Sequence, residues 1–86
     1  MHVTDKELQG LRGIAGSDFQ DTSDLDEMVD RQVWTFDCNP FDNARTFSGV
    51  ISQLVQKGLV GSQEDGKDST LWLTQAGVDV LKEKGR

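Results

Sequence analysis

Conventional reactive groups are sparse in this chain, and their spacing excludes most small-site chemistry. Cys38 is the only cysteine and His2 the only histidine. No internal disulfide can form, and neither a zinc site nor a Cys–His nucleophile pair can assemble. The plainer reading makes Cys38 a small core residue and His2 a surface residue at a frayed end. The 15 Asp and Glu residues fall into no calcium-loop or paired acid–base pattern, and no glycine-rich phosphate loop is present. The expectation is a protein that is not an enzyme and uses no metal or cofactor.

Residues 43–57 offer a different chemistry, that of hydrogen bonding along a helix face. Phe47, Val50, Ile51, Leu54 and Val55 recur at helical spacing, while Arg45, Ser48, Ser52, Gln53 and Gln56 fall on or beside the opposite face, with Thr46 next to Arg45. Glutamine amides suit adenine edges, serine hydroxyls suit bases or phosphates, and arginine suits guanine or phosphate. A helix so equipped fits the DNA major groove. Lys57, and Lys67 beyond it, would then touch backbone phosphates. The same residues also describe a helix face that simply meets water.

Other elements must position that helix. Thr4-Asp5-Lys6-Glu7 is a capping-box signature, and Leu8, Leu11, Ile14 and Ala15 continue a helix from 5 to 15. Gly16 is expected to stop it in the left-handed conformation. Gly10 and Gly13 fall away from its apolar stripe, and they either admit another backbone or mark a weak surface helix. Residues 17–24 read as a loop. Ser23 or Asp24 would cap a short helix containing Leu25, Met28 and Val29. Val33-Trp34-Thr35-Phe36 has a strand's bias, and Asn39-Pro40 marks a turn. Lys57-Gly58 ends the 43–57 helix, Leu59-Val60 begins a strand, and Asp65-Gly66 signals a hairpin. Trp72 alternates with Leu71 and Leu73 and so faces the other side of the sheet. Thr74 caps a last helix through Val78 and Leu81 that ends near Gly85. The expected fold class is α+β, mainly α, as one domain over 1–86. It has three to four helices, a two- or three-stranded hairpin sheet over about 59–74, and the 43–57 helix as second member of a helix-turn-helix pair.

Charge is unevenly spread. The formal net charge is −6; residues 1–43 carry ten acids and three bases, and residues 44–86 five acids and six bases. A nucleic-acid footprint belongs in the second half. In the first half, Asp21, Asp24, Asp26, Glu27 and Asp30 crowd one segment. They would engage a basic protein partner, even imitating nucleic acid, or else form a solvated face. Trp72, if exposed, would join such a contact surface or a homodimer interface. No run approaches the ~20 apolar residues of a membrane span, and Met1–Lys6 has no apolar signal region. These features predict a cytoplasmic protein without a membrane partner.

The stretch from Phe47 to Val60, ending Leu54-Val55-Gln56-Lys57-Gly58-Leu59-Val60, resembles the recognition helix of the MarR type of bacterial regulator with its L-x-x-K-G-L-V close. Asp65-Gly66-Lys67 stands at that family's wing tip, with lysine in place of arginine. Leu71, Leu73-Thr74, Gly77 and Leu81 match the V-x-L-T-x-x-G-x-x-x-L that follows. The resemblance covers residues 47–81 and implies a winged helix-turn-helix, double-stranded DNA as partner, and a role in transcriptional regulation. The chain as a whole is also similar to small winged-helix proteins of phages and plasmids.

Overall fold

A computed structural model describes residues 2–17, 20–65 and 68–85. Helix α1 spans Asp5–Ala15, and its start is the expected reciprocal cap. The Glu7 N–H donates to Thr4 Oγ1 at 3.2 Å, and the Thr4 N–H donates to Glu7 Oε1 at 2.9 Å. Leu11, Ile14 and Ala15 are buried. Gly16 closes the helix by donating to the Arg12 carbonyl, but at φ −89°. The expected left-handed stop is therefore absent here. Arg12 Nε reaches the Gly85 carbonyl at 3.1 Å and ties α1 to the end of the chain's last helix.

The expected short helix contracts to one 3-10 turn, Leu25–Met28, capped by the Asp24 carboxylate. Val29 lies outside it and bridges Leu73. Strand β1 is Val33–Trp34 alone, shorter than the Val33–Phe36 run predicted, because Thr35–Asp37 turns into a second 3-10 segment. This turn, and no α-helix, precedes the polar helix, so a helix-turn-helix with two α-helical members is not what forms. The physical reason lies in Asn39-Pro40. Proline disfavours a helical residue before it, and Asn39 Oδ1 accepts the Phe41 N–H at 2.8 Å, closing a local turn instead.

Helix α2 spans Ala44–Gln56. Asn43 caps it through Oδ1, which accepts the N–H groups of Arg45 and Thr46. At its end Gly58 takes φ +75°, and Leu59 N–H reaches back to the Leu54 carbonyl. That is the six-to-one closure which glycine allows. Strands β2 (Val60–Asp65) and β3 (Asp68–Leu73) pair antiparallel from Val60↔Leu73 to Asp65↔Asp68. The predicted Asp65-Gly66 turn falls partly on residues 66–67, outside the described residues. β1 adds to the other edge of β3, giving the order β1-β3-β2. Thr74 caps helix α3, Gln75–Lys84. A Cβ on Gly77 would lie 2.2 Å from the Leu59 carbonyl oxygen, so α3 approaches the root of β2 only because residue 77 has no side chain.

Leu11, Ile14, Met28, Phe47, Leu54, Leu59, Leu71, Leu73, Val78 and Leu81 form one core between the three helices and one sheet face. On the other face Trp72 is half-buried over Gly61, as strand alternation predicts. The protein is an α+β fold of three α-helices and a three-stranded antiparallel sheet. Among the described residues no helix is long and apolar enough to cross a membrane.

Candidate functional site

α1 sets the position of α2. Gly10 is buried, and a Cβ there would lie 2.9 Å from Val50 Cγ1 and 3.4 Å from Leu54 Cδ1. At Gly13 it would lie 2.7 Å from the Cys38 carbonyl oxygen and 2.8 Å from the Pro40 ring. Both glycines thus face neighbouring chain, the close approach that is one of the two readings of their position. The apolar positions fill three turns of the helix unevenly, and the glycines complete its buried side. With α2 packed through Phe47, Val50 and Leu54, its other side is left outward.

That outward side carries Arg45, Ser48, Ser52, Gln53 and Gln56, all exposed, with Thr46 half-buried at their edge. The structure brings these six together on one helix, and no carboxylate occurs between residues 44 and 56. Val55, predicted on the apolar face, is 40% exposed at its margin. Lys57 lies elsewhere. Its ammonium donates to Glu7 Oε1 at 2.7 Å and to the His2 carbonyl at 2.9 Å. Glu7 is 1% exposed and needs that countercharge, so Lys57 has a structural role that its assignment from sequence did not include. Lys67 lies outside the described residues.

A cation that sequence reasoning missed takes a place near Arg45. Lys6, in the first turn of α1, lines with Arg45, Thr46 and Gln53 a shallow groove of about 630 Å³. Neither Lys6 nor Arg45 has an ion-pair partner among the described residues. Only the packing of α1 on α2 places them together, and no spacing within the sequence signals it. Among the described residues Asp5 is the single acid in that groove.

The acidic segment has other work. Asp24 caps the 3-10 turn through Asp26 N–H at 3.0 Å, Glu27 accepts the Thr22 hydroxyl at 2.7 Å, and Asp26 pairs with Lys82 of α3. That ion pair raises the Lys82 pKa, chiefly through the hydrogen bond. Asp21 and Asp30 adopt positive φ, 54° and 62°, which aspartate tolerates. The segment packs on α3, whereas α2 packs on α1 and β2. Of the alternative surface, then, Asp21, Asp24, Asp26, Glu27 and Asp30 are exposed, and Trp72 is half-covered on the outer sheet face.

Cys38 is buried, and its thiol donates weakly to the Thr35 carbonyl at 3.7 Å. Burial pushes its pKa up to about 11, helped by neighbouring Asp37, so it stays a thiol at neutral pH. Among the described residues, no three His, Cys, Asp or Glu side chains group closely enough to hold a metal ion. No family model, curated protein or solved structure matches the chain. The geometry of α2 and its flanks is therefore the ground for a functional reading.

Proposed function

We propose that this chain is a winged-helix domain that binds duplex DNA without catalysis, α2 lying in the major groove and the β2–β3 hairpin serving as the wing. One observation carries the reading. The exposed side of α2 is polar and free of carboxylates over its whole length, in a chain of net charge −6, while the acidic segment packs against α3. Ser48, Ser52, Gln53 and Gln56 would meet base edges, and Arg45 a guanine or a phosphate. Lys67 would reach a phosphate from the wing, and Lys6 one beside Arg45. Such a protein would act as a small transcriptional regulator, and two copies on one site would double its few cationic contacts.

Fluorescence anisotropy at low salt, with labelled duplexes from DNA flanking its own gene, tests the reading. Two or three phosphate contacts predict a log–log salt slope of about −2 to −3. Arg45→Ala and Lys67→Ala should each flatten it by about 1. Gln53→Ala should weaken the preferred duplex more than an unrelated one. No binding at roughly 10 µM in low salt, against non-specific affinities of that order for ordinary DNA-binding domains, would defeat it.

A further inference from the structure

Between α2 and the core-facing side of the hairpin, apolar packing ends before the secondary structure does. Along the sheet, cross-strand pairs on that side run from Val60–Leu73, both buried, to Ser62–Leu71, with half-buried Ser69 beyond. Along α2, exposure climbs from 2% at Phe47 through half-buried Ile51 to 40% at Val55. The two surfaces diverge and leave a groove of about 590 Å³.

The lining of this groove has an apolar floor, made by Phe47, Ile51 and Leu71, and a margin of hydroxyls and amides. Among the described side chains no charged residue lines it, although 28% of the chain is Asp, Glu, Lys or Arg. An ion entering would lose hydration and find no countercharge among those side chains. The margin nevertheless has hydrogen-bonding capacity to give. The Ser69 hydroxyl donates to Thr35 Oγ1 at 2.9 Å, but the side chains of Ser48, Ser52, Gln56 and Ser62 have no hydrogen-bond partner among the described residues. A volume of this size, an apolar floor and a few polar groups at the edge are the attributes of small-molecule sites.

We infer that the groove binds an uncharged amphipathic small molecule. Its body is a ring-sized apolar group that covers Ile51 and Leu71, and it bears a hydroxyl, carbonyl or amide that meets the serines and Gln56. This site stands whether or not the protein binds DNA. One consequence does rest on the DNA reading: Ser48, Ser52 and Gln56 belong to both surfaces, so a molecule in the groove and a duplex on α2 exclude each other.

The test titrates the ¹⁵N-labelled full chain with benzamide and, separately, with benzoate and benzylammonium, which keep the ring and change the charge. Benzamide should give saturable amide shifts at Ile51, Val55, Ser62 and Leu71, with Kd of roughly 1 mM for so small a probe. The two ions should bind at least about tenfold more weakly. Ser62→Phe, at an exposed position on the groove wall, should abolish the benzamide shifts and leave the α3 amides unchanged. Absence of saturation, equal binding by either ion, or shifts centred elsewhere overturns the proposal. So do shifts of the same amides on simple concentration of the protein, which would make a second copy the occupant. Benzamide added to a preformed DNA complex should release the duplex. Groove binding with the duplex retained overturns only the mutual exclusion, and a chain that never binds DNA overturns the DNA reading while the titration still decides the groove.

Discussion

On its α1 side, helix α2 meets backbone; on its hairpin side it meets space. Gly10 lets Val50 and Leu54 press against α1 itself, and at the C-terminal end Lys57 spans from α2 to the buried Glu7 carboxylate. Across the helix, Ile51 and Val55 stand beside Ser62 and Ser69 with no ion pair among the described residues and a groove between them. The contrast shows how a chain of 86 residues keeps one helix fixed while leaving its polar face uncovered. A glycine contact and one buried charge pair hold a single edge. The opposite edge is then left open without the helix losing its orientation.

The strongest way to break this contrast is to remove Lys57. Glu7 Oε2 already lacks a partner, and Oε1 holds the Thr4 N–H as well as Lys57. Lys57→Met leaves a nearly fully buried carboxylate without countercharge and should cost about 3 kcal/mol. In a domain this small that lowers Tm by on the order of 15 °C. Glu7→Gln, which keeps an acceptor for Thr4, should cost less, about 1 kcal/mol, and should restore much of the loss when combined with Lys57→Met. Urea denaturation of the two single variants and the double variant closes the cycle. A Lys57→Met cost within ~0.5 kcal/mol of wild type, the range of ordinary surface changes, would show that the edge is not locked there.

A pH series sharpens the same point. Burial pushes the Glu7 pKa up, but the Lys57 ammonium and the Thr4 hydrogen bonds together outweigh it, and the net displacement is below the ordinary 4.5. Since the folded pKa lies under the unfolded one, the Glu7 contribution is complete above the unfolded value and disappears as pH falls through the folded value. Wild type should therefore lose stability relative to Glu7→Gln across that acidic window. In Lys57→Met both lowering contributions of the ammonium are gone, so the folded Glu7 pKa should rise from its wild-type position. As pH falls from neutrality, that variant should lose less stability relative to the Lys57→Met/Glu7→Gln double variant than wild type loses relative to Glu7→Gln. Urea midpoints between about pH 7 and 3, the range that brackets carboxylate titration, distinguish the two slopes. Parallel curves would refute the pairing.

What could be read from the chain without coordinates divides along the same line. The limits of α1, the Thr4 and Thr74 caps and the Gly58 stop were legible because each is a local pattern. So was the polar side of α2, which follows from helical periodicity. The Glu7–Lys57 pair was not, since Glu7 was already accounted for as half of a capping box and its second partner lies 50 residues away. Gly10 and Gly13 left two readings open, a close approach or a weak surface helix, because periodicity counts apolar side chains and is blind to contacts made by their absence. The strand predicted to Phe36 stops at Trp34 because Thr35–Asp37 closes a 3-10 turn, with the Cys38 N–H donating to the Thr35 carbonyl, against the β-bias of its residues. The groove depends on how far the hairpin diverges from α2, a quantity set by packing and written in no short stretch of residues.

The smallest expected effect isolates the closed edge from helix propensity. Gly10 and Gly49 both sit inside α-helices, where alanine is favoured over glycine by roughly 1 kcal/mol. At Gly49 a Cβ would meet nothing within 4 Å, so Gly49→Ala should raise stability by about that amount. At Gly10 the same intrinsic gain is opposed by Val50, a buried residue whose β-branched side chain has little rotamer freedom. Moving it away costs about 1–3 kcal/mol, enough to cancel the gain or reverse its sign. The informative quantity is the difference between the two substitutions in matched urea melts, because propensity drops out of it. Gly10→Ala should fall below Gly49→Ala by at least about 1 kcal/mol. Equal gains at both positions would mean that α2 does not press on the α1 backbone, and with it would go the reason for calling one edge of this helix closed and the other open.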